Sequence, residues 1–544
     1  MGGEFTDYIC DLLFGVNPSN GRSWPKWLKD DFRQTPFEAA TQNFPDRDSI
    51  RRALQRAFAT SVINPVHELL STQLRDGVVS SIITTNYDLC LDAALSDVQG
   101  LRSIWDNNTW DAANGSLSKA SKLYWKIHGT ARPDALDSLI FKLEDEGRMP
   151  KWKSELLNNT LADRTLVIFG YSGRDFEICP QLAYYARPRH TVWFQPSREA
   201  LTANGKRVLT ERQGTLVVGS RATPERPFAA LEDFLEKLFG TRLKLQRKAC
   251  PVDLVLDHST FPEWRVRILD WMACGRLAVP EINKLANART RAELLASAYG
   301  HLGKYRDSVL ELERLAAERS LDRREQLHRQ LSAASSWFIL GAHIKGWKQT
   351  RLIEKSCASE GLTDLRVEIA ERKLMMQMRL AQIVGTTRLP FLVNTIRARA
   401  VRMYEDARRE LELGAWGRLQ ALRLNAQRIG IATENEMTLP SVEGYSSLGA
   451  VGMLSIAVRD EVRKKGGWFL SPIKRSACLW GIKKARMYGW THEEWKFRWL
   501  LLIRGGGRFR SRHLVAWWRS FRVTQYTTGG RLIQILNATV PQQQ

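Results

Sequence analysis

At 544 residues the chain is too long for a single hydrophobic core and corresponds to roughly two to four domains. Its 44% hydrophobic and 26% charged residues exclude a disordered chain, and its net charge of +23 attracts phosphate-rich or acidic partners. No apolar run approaches the roughly 20 residues that span a bilayer, and the N-terminus has no basic-then-apolar secretory signal, so no membrane partner is expected.

In chain order, Met1-Gly2-Gly3-Glu4-Phe5-Thr6 matches a myristoylation pattern only loosely and is not taken as a lipid site. The first half then alternates helical stretches with short β-branched runs. Helical periodicity marks residues 63–75, 176–185 and 227–239, and strand signals mark 79–84, 123–127, 165–169, 191–195 and 215–218. Each strand is apolar on both faces, as a sheet covered by helices on both sides requires. The expected fold is therefore α/β, a doubly wound parallel Rossmann-like sheet over residues 1–245, followed by a mostly α-helical C-terminal region. Gly240 stops the last helix of the first part.

From about Phe261 the chain reads as helix, rich in Leu, Ala, Arg and Glu. Residues 293–310 are similar to a tetratricopeptide helix-turn-helix, with Leu302-Gly303-Lys304-Tyr305 at the turn. No second copy stands at the expected spacing, so an ordinary α-hairpin is the competing reading. We place this helical domain at 246–450 and a basic, Trp-rich helical domain at 451–544. The last 82 residues, from Arg463, hold 17 Lys and Arg against two acids, together with seven tryptophans. Arg508-Phe-Arg-Ser-Arg-His513 and Trp517-Trp518-Arg519 interleave guanidinium groups with rings, as single-strand nucleic-acid binders do. Trp480, Trp495 and Trp499 fall at helical spacing and fit a helix core equally well. The seven cysteines form no CxxC pair, so no metal is expected, and reduced thiols fit a cytoplasmic protein.

Three short motifs close successive strands, where ligands of doubly wound sheets bind. They are Thr84-Thr85-Asn86-Tyr87-Asp88, His128-Gly129 and Gly170-Tyr171-Ser172-Gly173-Arg174-Asp175. Each alone reads as turn or cap chemistry. In this order and spacing, over about 170 residues, they resemble the sirtuin-like (Sir2-like) domain of NAD-hydrolysing prokaryotic antiviral defence proteins.

The resemblance implies an NAD⁺ glycohydrolase with NAD as substrate and no metal. His128 is then the general base, expected to titrate near neutral pH, and Asn86 binds the ribose or orients the attacking water. Thr85, Asp88, Gly170, Ser172 and Asp175 complete the expected NAD-binding set. Asp88 fixes the nicotinamide amide or its loop, the backbone around Gly170 and Ser172 holds phosphate or ribose, and Asp175 braces that loop. The resemblance also implies a homo-oligomer, and a phage protein or nucleic acid that triggers the domain through the basic C-terminal region.

Two departures bear on this. The four-cysteine ribbon of zinc-dependent protein deacylases is absent, which points away from deacylation. The glycine-rich GAGxS turn that opens the family's domain is also absent upstream of Asn86. Either a start codon trims roughly 10 to 30 residues, the size of a strand and its turn, or the domain is degenerate. The second case makes the protein a non-catalytic NAD- or ADP-ribose-sensing or scaffold module, with a basic half that binds nucleic acid or protein.

Overall fold

The computed structural model describes residues 2–15, 24–33, 37–114, 122–141, 149–171, 173, 178–198, 201–219, 226–246, 256–318, 321–362 and 472–489, with scattered positions in 365–402 and 494–501. The described residues form two compact units. One takes 2–12 and the stretch from 37 to 258, and the other takes 13–33 and the residues from 259 onward.

The first unit holds six short strands: β1 (Ser81–Thr84), β2 (Leu101–Ile104), β3 (Lys122–Lys126), β4 (Thr165–Ile168), β5 (His190–Gln195) and β6 (Thr215–Val218). They form two parallel three-stranded sheets, ordered β1-β3-β2 and β4-β5-β6. The period of two along each strand sends alternate side chains to opposite faces. Ile83, Trp125, Leu166, Ile168, Trp193 and Leu216 share one core, so a single apolar layer serves both sheets. On the opposite faces Ile82 and Tyr124 pack with Leu74, Leu91 and Leu95, and Val167, Val192, Phe194 and Val217 with Leu69 and Phe234. Covered faces on both sides explain why these strands read as continuous apolar runs. Arg164, just ahead of β4, donates to Ser81 Oγ at the start of β1 (2.9 Å).

The helix Pro65–Arg75 begins two residues later than its periodicity suggests because Asn64 caps it. The Asn64 side chain accepts from Val66 and His67 N–H, His67 Nδ1 accepts from the Asn64 N–H, and Pro65 takes the first turn. The helix Ala229–Phe239 ends, as expected, at Gly240 in the left-handed region (φ 68°). Strand β2 has no counterpart among the sequence expectations. Its Leu-Arg-Ser-Ile is short and half polar, which suits an edge of the sheet, where β2 stands.

The second unit contains three consecutive helical hairpins: Phe261–Trp271 with Gly275–Ile282, Ala288–His301 with Tyr305–Ala316, and Arg323–Leu340 with His343–Ser359. Each helix packs on the next in sequence, the nearest-neighbour arrangement of stacked repeats. The turn read at Leu302-Gly303-Lys304 lies between the second pair, with Gly303 at φ 74°. Of the basic C-terminal region, the helix Pro472–Tyr488 is described; it buries Cys478, Ile482, Ala485 and Tyr488. Trp480 is not a core residue: it is 44% exposed, with Lys484 Nζ 6.0 Å from its ring. Trp495, Trp499, residues 508–513, Trp517 and Trp518 lie outside the described residues.

Candidate active site

Strands β1 and β3 are paired in parallel, with Thr84 opposite Lys126. Asn86 and His128 each stand two residues beyond that pair, at the carboxyl ends of neighbouring strands about 4.8 Å apart. The pairing extends into the loops, since Ile127 N donates to Thr84 O (3.0 Å) and Ala131 N to Tyr87 O (2.9 Å). The fold therefore places Asn86 and His128 on adjoining loops at the same end of the sheet.

In the first loop Thr85 is half-buried and Asn86 is exposed. The Asn86 N–H donates to Thr84 Oγ1 (3.1 Å), which fixes the turn that carries it. Tyr87 is buried and its hydroxyl donates to Ile140 O. Asp88 is also buried. Its Oδ1 accepts from Cys90 N–H (3.1 Å), which starts the short helix Cys90–Ala94. Its buried Oδ2 has no hydrogen-bond partner among the described residues. A buried carboxylate oxygen left this way is costly unless a donor meets it.

His128 is 5% exposed. Burial, and secondarily the nearby Lys153 ammonium, pushes its imidazole down to about 3. The expectation of titration near neutrality does not account for this burial; the ring is neutral throughout the physiological range, because desolvation penalises the imidazolium. Gly129 follows at φ 86°, and a Cβ there would stand 2.0 Å from Ser138 O. Only glycine fits this turn.

At the end of β4, Gly170 adopts φ 65°, and a Cβ there would meet nothing within 4 Å among the described residues. Tyr171 turns back into the domain: its ring stacks on Trp193 (5.7 Å) and its carbonyl accepts from Gln195 Nε2 (3.0 Å). Gly173 O accepts from Thr202 Oγ1 (2.9 Å). Ser172 and Asp175 lie outside the described residues.

Sequence reasoning missed three side chains beside this site. Lys126 is wholly buried, and its Nζ donates to Tyr87 O (3.0 Å), Asp88 O and Asp92 Oδ2 (2.9 Å). Lys153, also buried, donates from Nζ to Ile127 O (2.6 Å). His67 lies close enough to Asp88 to feel its charge, although burial outweighs that pull and lowers the imidazole from its ordinary value. Lys126 alone left a signal, as a cation inside an otherwise apolar run with both faces covered.

These features define a parallel α/β domain whose ligand-facing loops follow the strand carboxyl ends. The family model of the SIR2-like domain matches residues 80–213, and this part of the chain is a SIR2-like domain. Such a domain fits an NAD-related role. No curated protein matches the chain. Among the described residues no helix is long and apolar enough to cross a membrane, and no three His, Cys, Asp or Glu side chains gather as metal ligands.

Proposed function

We propose that the protein is an NAD⁺ glycohydrolase of an antiphage defence system, which cleaves NAD to nicotinamide and ADP-ribose when triggered. The observation that carries this reading is that Asn86 and His128 each stand two residues beyond the paired Thr84 and Lys126, at the ends of neighbouring strands. The residues present fit the substrate. Asp88 Oδ2 is a buried acceptor that lacks a donor among the described residues and suits the nicotinamide amide N–H. Gly170 has no described atom within 4 Å of a Cβ built there and suits close approach of a ribose or phosphate.

In this reading the bond between nicotinamide and ribose C1′ breaks with its electrons leaving on nicotinamide, and water adds at C1′. The exposed Asn86 orients that water or the ribose hydroxyls. His128, held neutral by its burial, is the imidazole that takes the proton the water releases as positive charge builds on the ribose. Thr85, Ser172 and Asp175 complete the substrate loops. The basic C-terminal region receives the trigger, a phage protein or nucleic acid, and the protein acts as a cytoplasmic homo-oligomer.

The burial of His128 favours a second reading, in which the domain binds NAD or ADP-ribose without turnover, because a base titrating at about 3 is weak at neutral pH. The test is NAD loss by the full chain, alone and with phage lysate. Loss that disappears in His128→Ala and Asn86→Ala supports the glycohydrolase. No loss under either condition, with ADP-ribose binding retained, establishes the sensing module instead.

A further inference from the structure

Two lysines lie inside the SIR2-like domain next to its candidate site, where side chains of this type are rarely found. Lys126 ends β3 and is wholly buried; Lys153 sits on the helix Lys151–Leu161 and is 4% exposed. A buried ammonium carries three donors and a large desolvation cost, so its partners show what it is there to hold. Lys126 Nζ donates to the carbonyl oxygens of Tyr87 (3.0 Å) and Asp88, and to Asp92 Oδ2 (2.9 Å). Asp92 is fixed in turn by the Tyr124 hydroxyl, which donates to the same oxygen (2.9 Å). Lys153 Nζ donates to Ile127 O (2.6 Å).

The gripped carbonyls are not scattered. Tyr87 and Asp88 follow Asn86 directly, and Ile127 directly precedes His128. Both loops leave the ends of β1 and β3, where only a few backbone hydrogen bonds, such as Ala131 N–H to Tyr87 O (2.9 Å), continue past the strands and the ammonium groups add to them. A core needing only volume at positions 126 and 153 is filled better by Met or Leu, without the cost of a buried charge.

We propose that Lys126 and Lys153 are positioning residues, a pair of ammonium clamps that fix the Asn86 and His128 loops in register for catalysis at the strand ends. The kinetic consequence rests on the glycohydrolase reading; the mechanical one does not. Lys126 draws the first loop onto the end of β3 and pairs its charge with Asp92 (2.9 Å). Lys153 draws the second loop toward its own helix and places a positive charge beside His128. Burial lowers the Lys126 ammonium from its ordinary value, and Asp92 opposes that shift, so the Asp92 carboxylate is part of the clamp.

The test uses the full chain and two readouts, amide hydrogen exchange and steady-state NAD hydrolysis, on Lys126→Met and Lys153→Met. Lys126→Met is expected to speed exchange of residues 86–90 by about ten-fold or more, with residues 191–195 unchanged. Lys153→Met is expected to do the same at 128–130. In both, kcat falls by about 30-fold or more while KM for NAD stays within about three-fold, since misplacement of reacting groups affects the transition state more than binding. If Lys126→Met does not fold, Asp92→Asn, which keeps the side-chain shape and removes the compensating charge, takes its place with the same readouts. Folded variants whose loop exchange matches the parent overturn the clamp. A parent that hydrolyses no NAD overturns the enzymatic reading instead, and exchange alone then decides the clamp.

Discussion

The backbone N–H of Ile140 donates to the carbonyl oxygen of His128 at 2.9 Å, so the loop after β3 closes on the residue that carries its imidazole. Thr130 N–H donates to Ser138 Oγ (3.1 Å), and Ser138 Oγ donates to Ala135 O (2.7 Å). The result is a narrow loop whose two limbs touch at Gly129 and Ser138. His128 is thus placed by backbone contacts from both directions along the chain, not by its own strand alone.

Gly129→Ala is expected to disrupt this loop. The new Cβ meets Ser138 O at 2.0 Å and must also adopt φ 86°. The two effects together are expected to cost about 3 kcal/mol or more. Thermal melting checks this: a variant that melts with the parent shows the two limbs are not in contact.

Gly170→Ala separates ligand contact from folding. Its φ of 65° strains an alanine, but among the described residues no atom lies within 4 Å of the added Cβ, so the cost to stability is about 1 kcal/mol. If the Gly170 turn receives the substrate, the methyl group weakens NAD or ADP-ribose binding by about ten-fold or more, a loss of roughly 1.4 kcal/mol. Calorimetric titration with ADP-ribose measures it. Affinity equal to the parent's removes Gly170 from the site.

Much of this arrangement is legible in the residues. Strand β6 is found at its expected limits, and β3 within one residue, because Leu123, Tyr124 and Trp125 form a run with no polar interruption. The adjoining loops that carry Asn86 and His128 follow from those strands. Strand β2 was hidden because Arg102 and Ser103 break its apolar signal. Lys153 was hidden for a different reason: in one dimension a lysine reads as surface, and, as for Lys126, which stood out only as a cation in an apolar run, only packing shows that its ammonium has a carbonyl partner. The acidity of His128 was likewise invisible, since burial is a property of the surroundings.

That burial has a consequence for acid stability. With the folded His128 at about 3 and an unfolded imidazole near 6.5, the unfolded state binds the extra proton between those values. The stabilising contribution is full above pH 6.5 and is lost as pH falls toward 3, at up to about 1.4 kcal/mol per unit. His128→Gln is therefore expected to flatten the decline in stability between pH 6.5 and 4. Denaturant titrations across that range decide it; equal slopes for parent and variant mean His128 is hydrated.

In the helical unit Asp270 has the opposite sign. Burial pushes its carboxyl up to about 7, against the Ser297 hydrogen bond and the Arg267 charge. His301 Nε2 stands 3.6 Å from Asp270 Oδ1, and burial pushes that imidazole down to about 4, so near neutral pH it offers little compensating charge. A folded carboxyl above its unfolded value stabilises fully below about 3.8 and loses that contribution as pH rises through 7. Asp270→Asn keeps the shape and removes the ionisation. At pH 3.5, below the unfolded carboxyl's value of 3.8, variant and parent are expected to differ little. At pH 8 the variant is expected to be more stable by on the order of 1–3 kcal/mol, seen as a higher melting temperature in calorimetry. A variant that melts below the parent at pH 8 shows instead that an ionised Asp270 is paired and holds the Phe261–Trp271 and Ala288–His301 helices together.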